Sequence, residues 1–474
     1  MHLAQYNKEE AMKAQRSMLG RSGLVVLALV AAVCLCGSAF AQGTAQQAVT
    51  VYTLDECIRK AVAASPEIGE ARYDVAVYKA KKEQADGAAY PQIEALALAG
   101  PSPEARREDI SPFIQTDVGT RINGIFGRAD IQLIQPVYTF GRISSYKEAA
   151  ESGIRAAESG AAKKTSDIIL RTKQLYYSLV LAKDFKNLVL EVKDDLDHAV
   201  KNAQKQIDTG SPYADEMNLF KLRTFLGEAN RNLNEAEKNI ALARDALATS
   251  MGLPRGTILD AADSSISPEA RKPGGLQDMM TAATLYRAEM AQLKEGLQAR
   301  QALVDAEKSS RYPMLFAGLK GVLSGATNRD RIKNPYINDA FSSSYGAAFL
   351  GARWSFDFGT TKGRISEAQA EYNKLVEKKR FADEAIPLQV RKAYLEYDEA
   401  SKSIADTDVA VQSAKKWLVT AVANFDVGVG DAKDVGDAAA AYAMVKANNL
   451  KSKYNQRMSY SNILYATGLD QQGK

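Results

Sequence analysis

Histidine and cysteine are almost missing from this chain of 474 residues, which holds two of the first and three of the second. That scarcity excludes His-based zinc sites and most nucleophile or disulfide chemistry before any motif is sought. A dominant charge sign is missing too. Lys and Arg number 61 against 57 Asp and Glu, a formal net charge of +4, so the charge balance points to no nucleic-acid partner. Aromatics make up 8% and prolines number 13. No apolar run reaches the roughly 18 residues a membrane helix needs. What abounds is Ala, Leu, Lys, Glu and Gln, a composition that favours long helices over a β-rich globule.

The longest apolar run, LVVLALVAAVCLC at 24–36, follows Lys13, Arg16 and Arg21 and precedes Ala39-Phe40-Ala41. This is the layout of a secretory signal peptide, 1–41, with cleavage after Ala41. The alternative is a transmembrane anchor, but thirteen helical residues cover about 20 Å of a bilayer core of about 30 Å. Neither Cys34, preceded by Val33, nor Cys36, preceded by Leu35, matches a lipoprotein cleavage site. The exported chain then keeps Cys57 and His198 alone of their kinds. An exported protein without a membrane helix is periplasmic, extracellular or an outer-membrane barrel.

An internal duplication organises the rest. Residues 54–91 and 276–313 align without a gap at an offset of 222, and both close on Tyr-Pro, at Tyr90-Pro91 and Tyr312-Pro313. The same offset recovers GRIS at 141–144 and 363–366. Later it falls to 218, pairing Gly210 with Gly428, and then to 216. The expected division is a first repeat at 42–253, a linker at 254–275, a second repeat at 276–469 and a tail at 470–474.

Each copy starts with a helical segment that ends at Tyr-Pro. Two strands follow, expected at about 92–100 and 126–138, then at about 314–323 and 346–358. Ala129, Ile131 and Leu133 interleave with Arg128, Asp130 and Gln132, and Ala348, Leu350, Ala352, Trp354 and Phe356 alternate similarly. Such alternation fits a membrane barrel with a wet lumen or one half-buried sheet face of a soluble domain. These residues alone do not choose.

Long helical hairpins come next, 141–251 and 363–467, turning at Gly210 and Gly428. Leu181, Phe185, Leu188, Val192, Leu196, Ala199, Ala203 and Ile207 form a coiled-coil-like seam. A helix over 141–208 is about 100 Å long, which sets the hairpin tip that far from the strands. The lengths suggest that 214–251 stacks end to end with 276–311, and 432–467 with 54–89. Four strands cannot close a barrel, so membranous strands would require several subunits in cyclic symmetry.

At this point the chain resembles the TolC-like outer-membrane efflux family. The resemblance rests on TLDECIRKAVAASPEI at 53–68, QPVYTFGR at 135–142, WSFDFGTTKGR at 354–364 and FDVGVGDAKDVGDAAAAY at 425–442. It implies a homotrimer with a β-barrel in the outer-membrane lipid and an α-helical periplasmic tunnel. It further implies a passive exit duct, neither enzyme nor cofactor-dependent, that serves efflux or type I secretion. A periplasmic adaptor and an inner-membrane transporter would be its partners. The resemblance assigns Asp434 and Asp437 to carboxylate rings at a periplasmic gate, with Asp215 or Glu216 as the acid of the first copy. Gly210, Ser211, Val427, Gly428 and Val429 would be the tips that meet the adaptor. The family's tyrosine and arginine latch is replaced here by Phe425 and Gly430, so gating must differ in detail.

The competing reading is a soluble periplasmic coiled-coil adaptor or scaffold, which explains the helices and the export signal but not the duplicated strand pairs. No nucleotide loop, metal spacing or nucleophile motif supports an enzyme. His198 and the Lys163-Lys164 and Lys378-Lys379-Arg380 runs read as solvated helix faces, and Cys57 as a small buried residue.

Overall fold

A computed structural model describes residues 49–104, 121–212, 214–330 and 339–471. The proposed export signal at 1–41 lies outside the described residues. Tyr52, at the end of β1 (Thr50–Tyr52), accepts the N–H of Ala262, just beyond β4 (Leu259–Ala261). Thr53 then starts α1 (Leu54–Ala64) through a reciprocal capping box with Glu56.

The first helical segment is not continuous to Tyr90. It breaks at Ser65, which has extended backbone and caps α2 (Pro66–Gly87). Pro66 forces this break, because its ring cannot follow a helical predecessor. The second copy breaks at the equivalent Arg287, between α5 (Leu276–Tyr286) and α6 (Ala288–Ser309), with no proline there. Arg287 is buried, bonded to Glu289 at 2.7 Å, and lies against the Tyr465 ring.

Strands β2 (Gln92–Pro103), β3 (Ile122–Tyr138), β5 (Met314–Ala326) and β6 (Ser344–Arg353) form one antiparallel sheet in the order β2-β3-β5-β6. The two copies meet at β3 and β5, with Ile131 opposite Gly321 and Leu133 opposite Leu319. Because side chains alternate across a strand, the register sorts the sheet into two faces. One is apolar, with Ile93, Ala95, Ile131, Leu133, Leu319, Leu323 and Leu350; the other carries the charges, Glu94, Arg128, Asp130, Lys320 and Arg353, among Leu96, Leu98, Val322, Phe316 and Phe349. On that second face Arg128 and Asp130 are joined at 2.6 Å. Phe349 lies over Gly318 and Phe316 over Gly351, where any Cβ would collide with the ring.

Strand β6 stops at Arg353, short of the expected 358, and the next helix starts at Thr360 rather than 363. Asp357 explains both: its carboxylate accepts from the N–H groups of Gly359 and Thr361 and from the Thr361 hydroxyl, converting the segment into a helix start. At the matching junction of the first copy, Phe140 and Gly141 both take positive φ, 52° and 90°. The cost at Phe140, about 1 kcal/mol, is offset by its ring, which stacks on Tyr312 at 5.1 Å.

The hairpins are α3 (Arg142–Asp208) with α4 (Glu216–Ser250), and α7 (Thr360–Asp426) with α8 (Ala432–Thr467). Helix α7 runs through Pro387. The seam is buried at Leu188, Val192, Leu196, Ala199 and Ala203, with Leu181, Phe185 and Ile207 half-buried against the same core. The helices form a layer, ordered α2-α3-α6-α7 near the strands. Towards the tips α4 and α8 flank α3, and α8 also packs on α7. End-to-end stacking therefore differs from the expectation drawn from lengths. Gly252, after α4, abuts Ala64, and Gly468, after α8, abuts Tyr286 and Arg287. Helix α4 thus continues towards α2, and α8 towards α6. Length matching is blind to the side of α3 on which each short helix lies.

Candidate functional site

Both hairpin tips are built by the same local chemistry. Gly210 and Gly428 take left-handed backbone, φ 63° and 79°. The N–H of Ser211 reaches back to the Gln206 carbonyl, and that of Val429 to the Asn424 carbonyl, closing helices α3 and α7. Val427 and Val429 stand 66% and 82% exposed at the second tip, and Met217 and Phe220 are exposed near the first.

The return helices start on aspartates. Asp215 caps α4 by accepting from Met217 N–H, and Asp431 caps α8 by accepting from Lys433 N–H. Glu216 is the exposed first residue of α4. Capping therefore aligns Asp215 with Asp431 rather than with Asp434. At that register the first-copy counterparts of Asp434 and Asp437 are Asn218 and Lys221. Asp434 and Asp437 are exposed on one face of α8, and their carboxylates have no ion pair among the described residues. Val435, Gly436 and Ala438 between and beside them are buried. A single helix face thus presents both carboxylates to solvent while the opposite face packs.

Gly436 is the reason the packing is close. A Cβ there would lie 2.1 Å from the Phe225 ring of α4, so only glycine admits that ring. Polar contacts that the sequence did not announce tie the two hairpins together beside it. Lys221 meets Asp431 at 3.2 Å, and Asn202 donates to Asp426 at 2.6 Å. His198, 63% exposed as expected for a surface residue, lies 3.9 Å from the same Asp426. Hydrogen bonds from Lys433 N–H and Lys221 hold the Asp431 carboxyl below its ordinary range.

Further from the tip, Glu191 of α3 receives Lys415 of α7 at 2.8 Å, and Lys446 and Tyr442 of α8 at 2.9 Å each. Burial pushes this carboxyl up, but the three donors outweigh burial and hold it at about 2. One carboxylate thereby clamps three helices. Asp184, buried on α3, accepts from the Ile266 N–H of the inter-repeat linker, and burial raises its pKa. Cys57 is buried and free, and burial pushes its thiol up to about 11. Among the described residues no group of His, Cys, Asp and Glu could hold a metal ion, and no helix is long and apolar enough to cross a membrane.

A sheet with one apolar and one charged face, set at the end of a layer of long helical hairpins, is the architecture of outer-membrane channel proteins. The chain belongs to the outer membrane efflux protein family, whose model matches residues 57–253 and 281–469. No curated protein sequence matches it. Among solved structures it is similar to the outer-membrane channel OprN, at 15% identity and a TM-score of 0.73, with 88% of this chain and 89% of that one covered. It is also similar to the CmeC outer-membrane channel of Campylobacter jejuni, at 17% identity and a TM-score of 0.72, covering 88% and 85%. The outer-membrane protein VceC of Vibrio cholerae matches at 16% identity and a TM-score of 0.70, covering 88% and 96%. The protein is thus an outer-membrane efflux channel that extends into the periplasm, from a family of channels rather than enzymes. The soluble scaffold reading falls with this.

Proposed function

We propose that three copies of this chain form one continuous passive duct, a twelve-stranded barrel over a helical tunnel, closed at the hairpin tips. The observation that carries the reading is the two-faced sheet: within the described residues of one copy, β2 and β6 are its edge strands. In lipid, unpaired edges are excluded, and copies joined β6 to β2 would remove them. The tips at Gly210, Ser211, Val427, Gly428 and Val429 would then meet a periplasmic adaptor recruited with an inner-membrane transporter, in efflux or type I secretion. Asp434 and Asp437 would form two carboxylate rings across the narrow end, attracting cations. The links Lys221–Asp431 and Asn202–Asp426 replace the absent tyrosine and arginine latch by holding one hairpin to the other. Native mass spectrometry from detergent tests the assembly: the mass of three chains is expected, and a chain that stays monomeric would overturn it.

A further inference from the structure

One groove of about 1290 Å³ is lined jointly by α2, α3, α6 and α7. These four helices lie side by side in one layer, so a hollow touched by all four lies on the concave side of that layer. In the closed ring proposed above, on which this placement rests, the concave side faces the bore.

The charged lining is one-sided. Lys81, Lys163, Arg287, Arg300, Lys374 and Lys378 face Glu289 and Glu371, in a chain whose acids and bases nearly cancel. Lys163 is paired with Asp167 at 2.8 Å, and the two lining acids do not neutralise the other five cations. Glu371 stands 3.7 Å from Arg300 and 3.8 Å from Lys374, so one carboxylate serves two cations. Glu289 is bonded to Arg287, which is 5% exposed and whose Nη1 has no acceptor among the described residues. Lys81 lies over the Tyr78 ring at 4.6 Å. Lys378 has no ion pair among the described residues. Between these cations the wall is apolar, with Leu293, Leu303, Leu375 and Phe381.

We propose that this groove is a binding station for amphipathic organic anions, carboxylates or sulfonates attached to an aromatic or aliphatic body. The lysines and arginines hold the acid group, and the leucines and Phe381 take the body. Exposed ammonium groups keep the hold weak and salt-sensitive, as passage requires. The bore would then be cationic above an acidic tip, and cargo would meet the two signs in succession.

Equilibrium binding to the full-length protein in lipid nanodiscs, with empty discs subtracted, tests this without requiring conduction. The probes are naphthalene sulfonate and the uncharged naphthol. Saturable sulfonate binding is expected, at least about tenfold tighter than naphthol. The variant Lys374→Glu with Lys378→Glu, both exposed, should weaken sulfonate binding about tenfold. Lys392→Glu, an exposed residue further along α7, should not. Equal affinity for the two probes, or full sulfonate affinity in the double variant, overturns the site. A protein that conducts but does not bind sulfonate loses the station and keeps the duct. Binding by a protein that never conducts does the reverse.

Discussion

The ammonium of Lys221 in α4 lies 3.2 Å from the carboxylate of Asp431, the residue that caps α8. One contact therefore joins the two hairpins at the point where the second return helix begins. Such exposed pairs contribute at most about 1 kcal/mol to stability; the role proposed for this one is to hold the tips together. Removing this pair and the Asn202 link together, as Lys221→Ala with Asn202→Ala, is expected to leave thermal unfolding nearly unchanged and to raise steady conductance several-fold. Circular dichroism and planar-bilayer recording check the two halves, and a conductance equal to wild type would show that these links hold nothing shut.

Glu191 supplies a pH signature. Its carboxyl is held at about 2 against an ordinary 4.5, so the folded form binds its proton less readily than the unfolded chain. The stabilisation is complete above about 4.5 and is lost as pH falls towards 2, roughly 1–2 kcal/mol after allowance for solvent screening. Thermal unfolding measured from pH 6 to about 2.5 should show Glu191→Gln less stable than wild type at neutral pH. The two curves should converge at the acidic end; a constant gap across the range would contradict the clamp.

Asp184 behaves in the opposite sense. Burial raises its pKa, and its Oδ2 accepts the Ile266 N–H at 2.7 Å. Asp184→Asn keeps an acceptor and removes a buried charge, so stability at neutral pH should hold or rise. Asp184→Ala strands the N–H and should cost about 1–3 kcal/mol. Chemical unfolding of both variants distinguishes a structural acceptor from a required charge.

The glycines at the tips differ in kind. Gly210 has open space around its missing Cβ and φ 63°, so Gly210→Ala should cost only the backbone penalty of about 1 kcal/mol. Gly436→Ala has ordinary helical backbone but places a methyl 2.1 Å from Phe225. It should cost more and loosen α4 from α8, which cross-linking of cysteines introduced on the two helices would read as a lower yield.

Much of this architecture is legible in the sequence because its cues are local. Gly210 and Gly428 mark the turns, the Leu188–Ala203 seam marks the packed face of α3, and alternation in β3 marks a two-faced sheet. The break at Ser65 is announced by Pro66. Its partner at Arg287 carries no such mark: no proline follows it, and the burial of its guanidinium against Glu289 appears only in the folded chain. The register of the acids is likewise hidden. Asp215 and Asp431 share a capping role that backbone geometry reveals, whereas spacing alone allows Asp215 or Glu216 to be set against Asp434. Contacts such as Lys221–Asp431 and Glu191–Lys446 join residues more than 200 positions apart, and no periodicity within one helix records them.

In the proposed trimeric conduit, Asp434 and Asp437 govern the narrow end. The most direct test is the reversal potential of purified protein in planar bilayers under a salt gradient, for wild type and for Asp434→Ala with Asp437→Ala. Wild type is expected to form cation-preferring pores, and the double variant to lose most of that preference. Pores whose cation preference is untouched by removing both carboxylates would contradict that role.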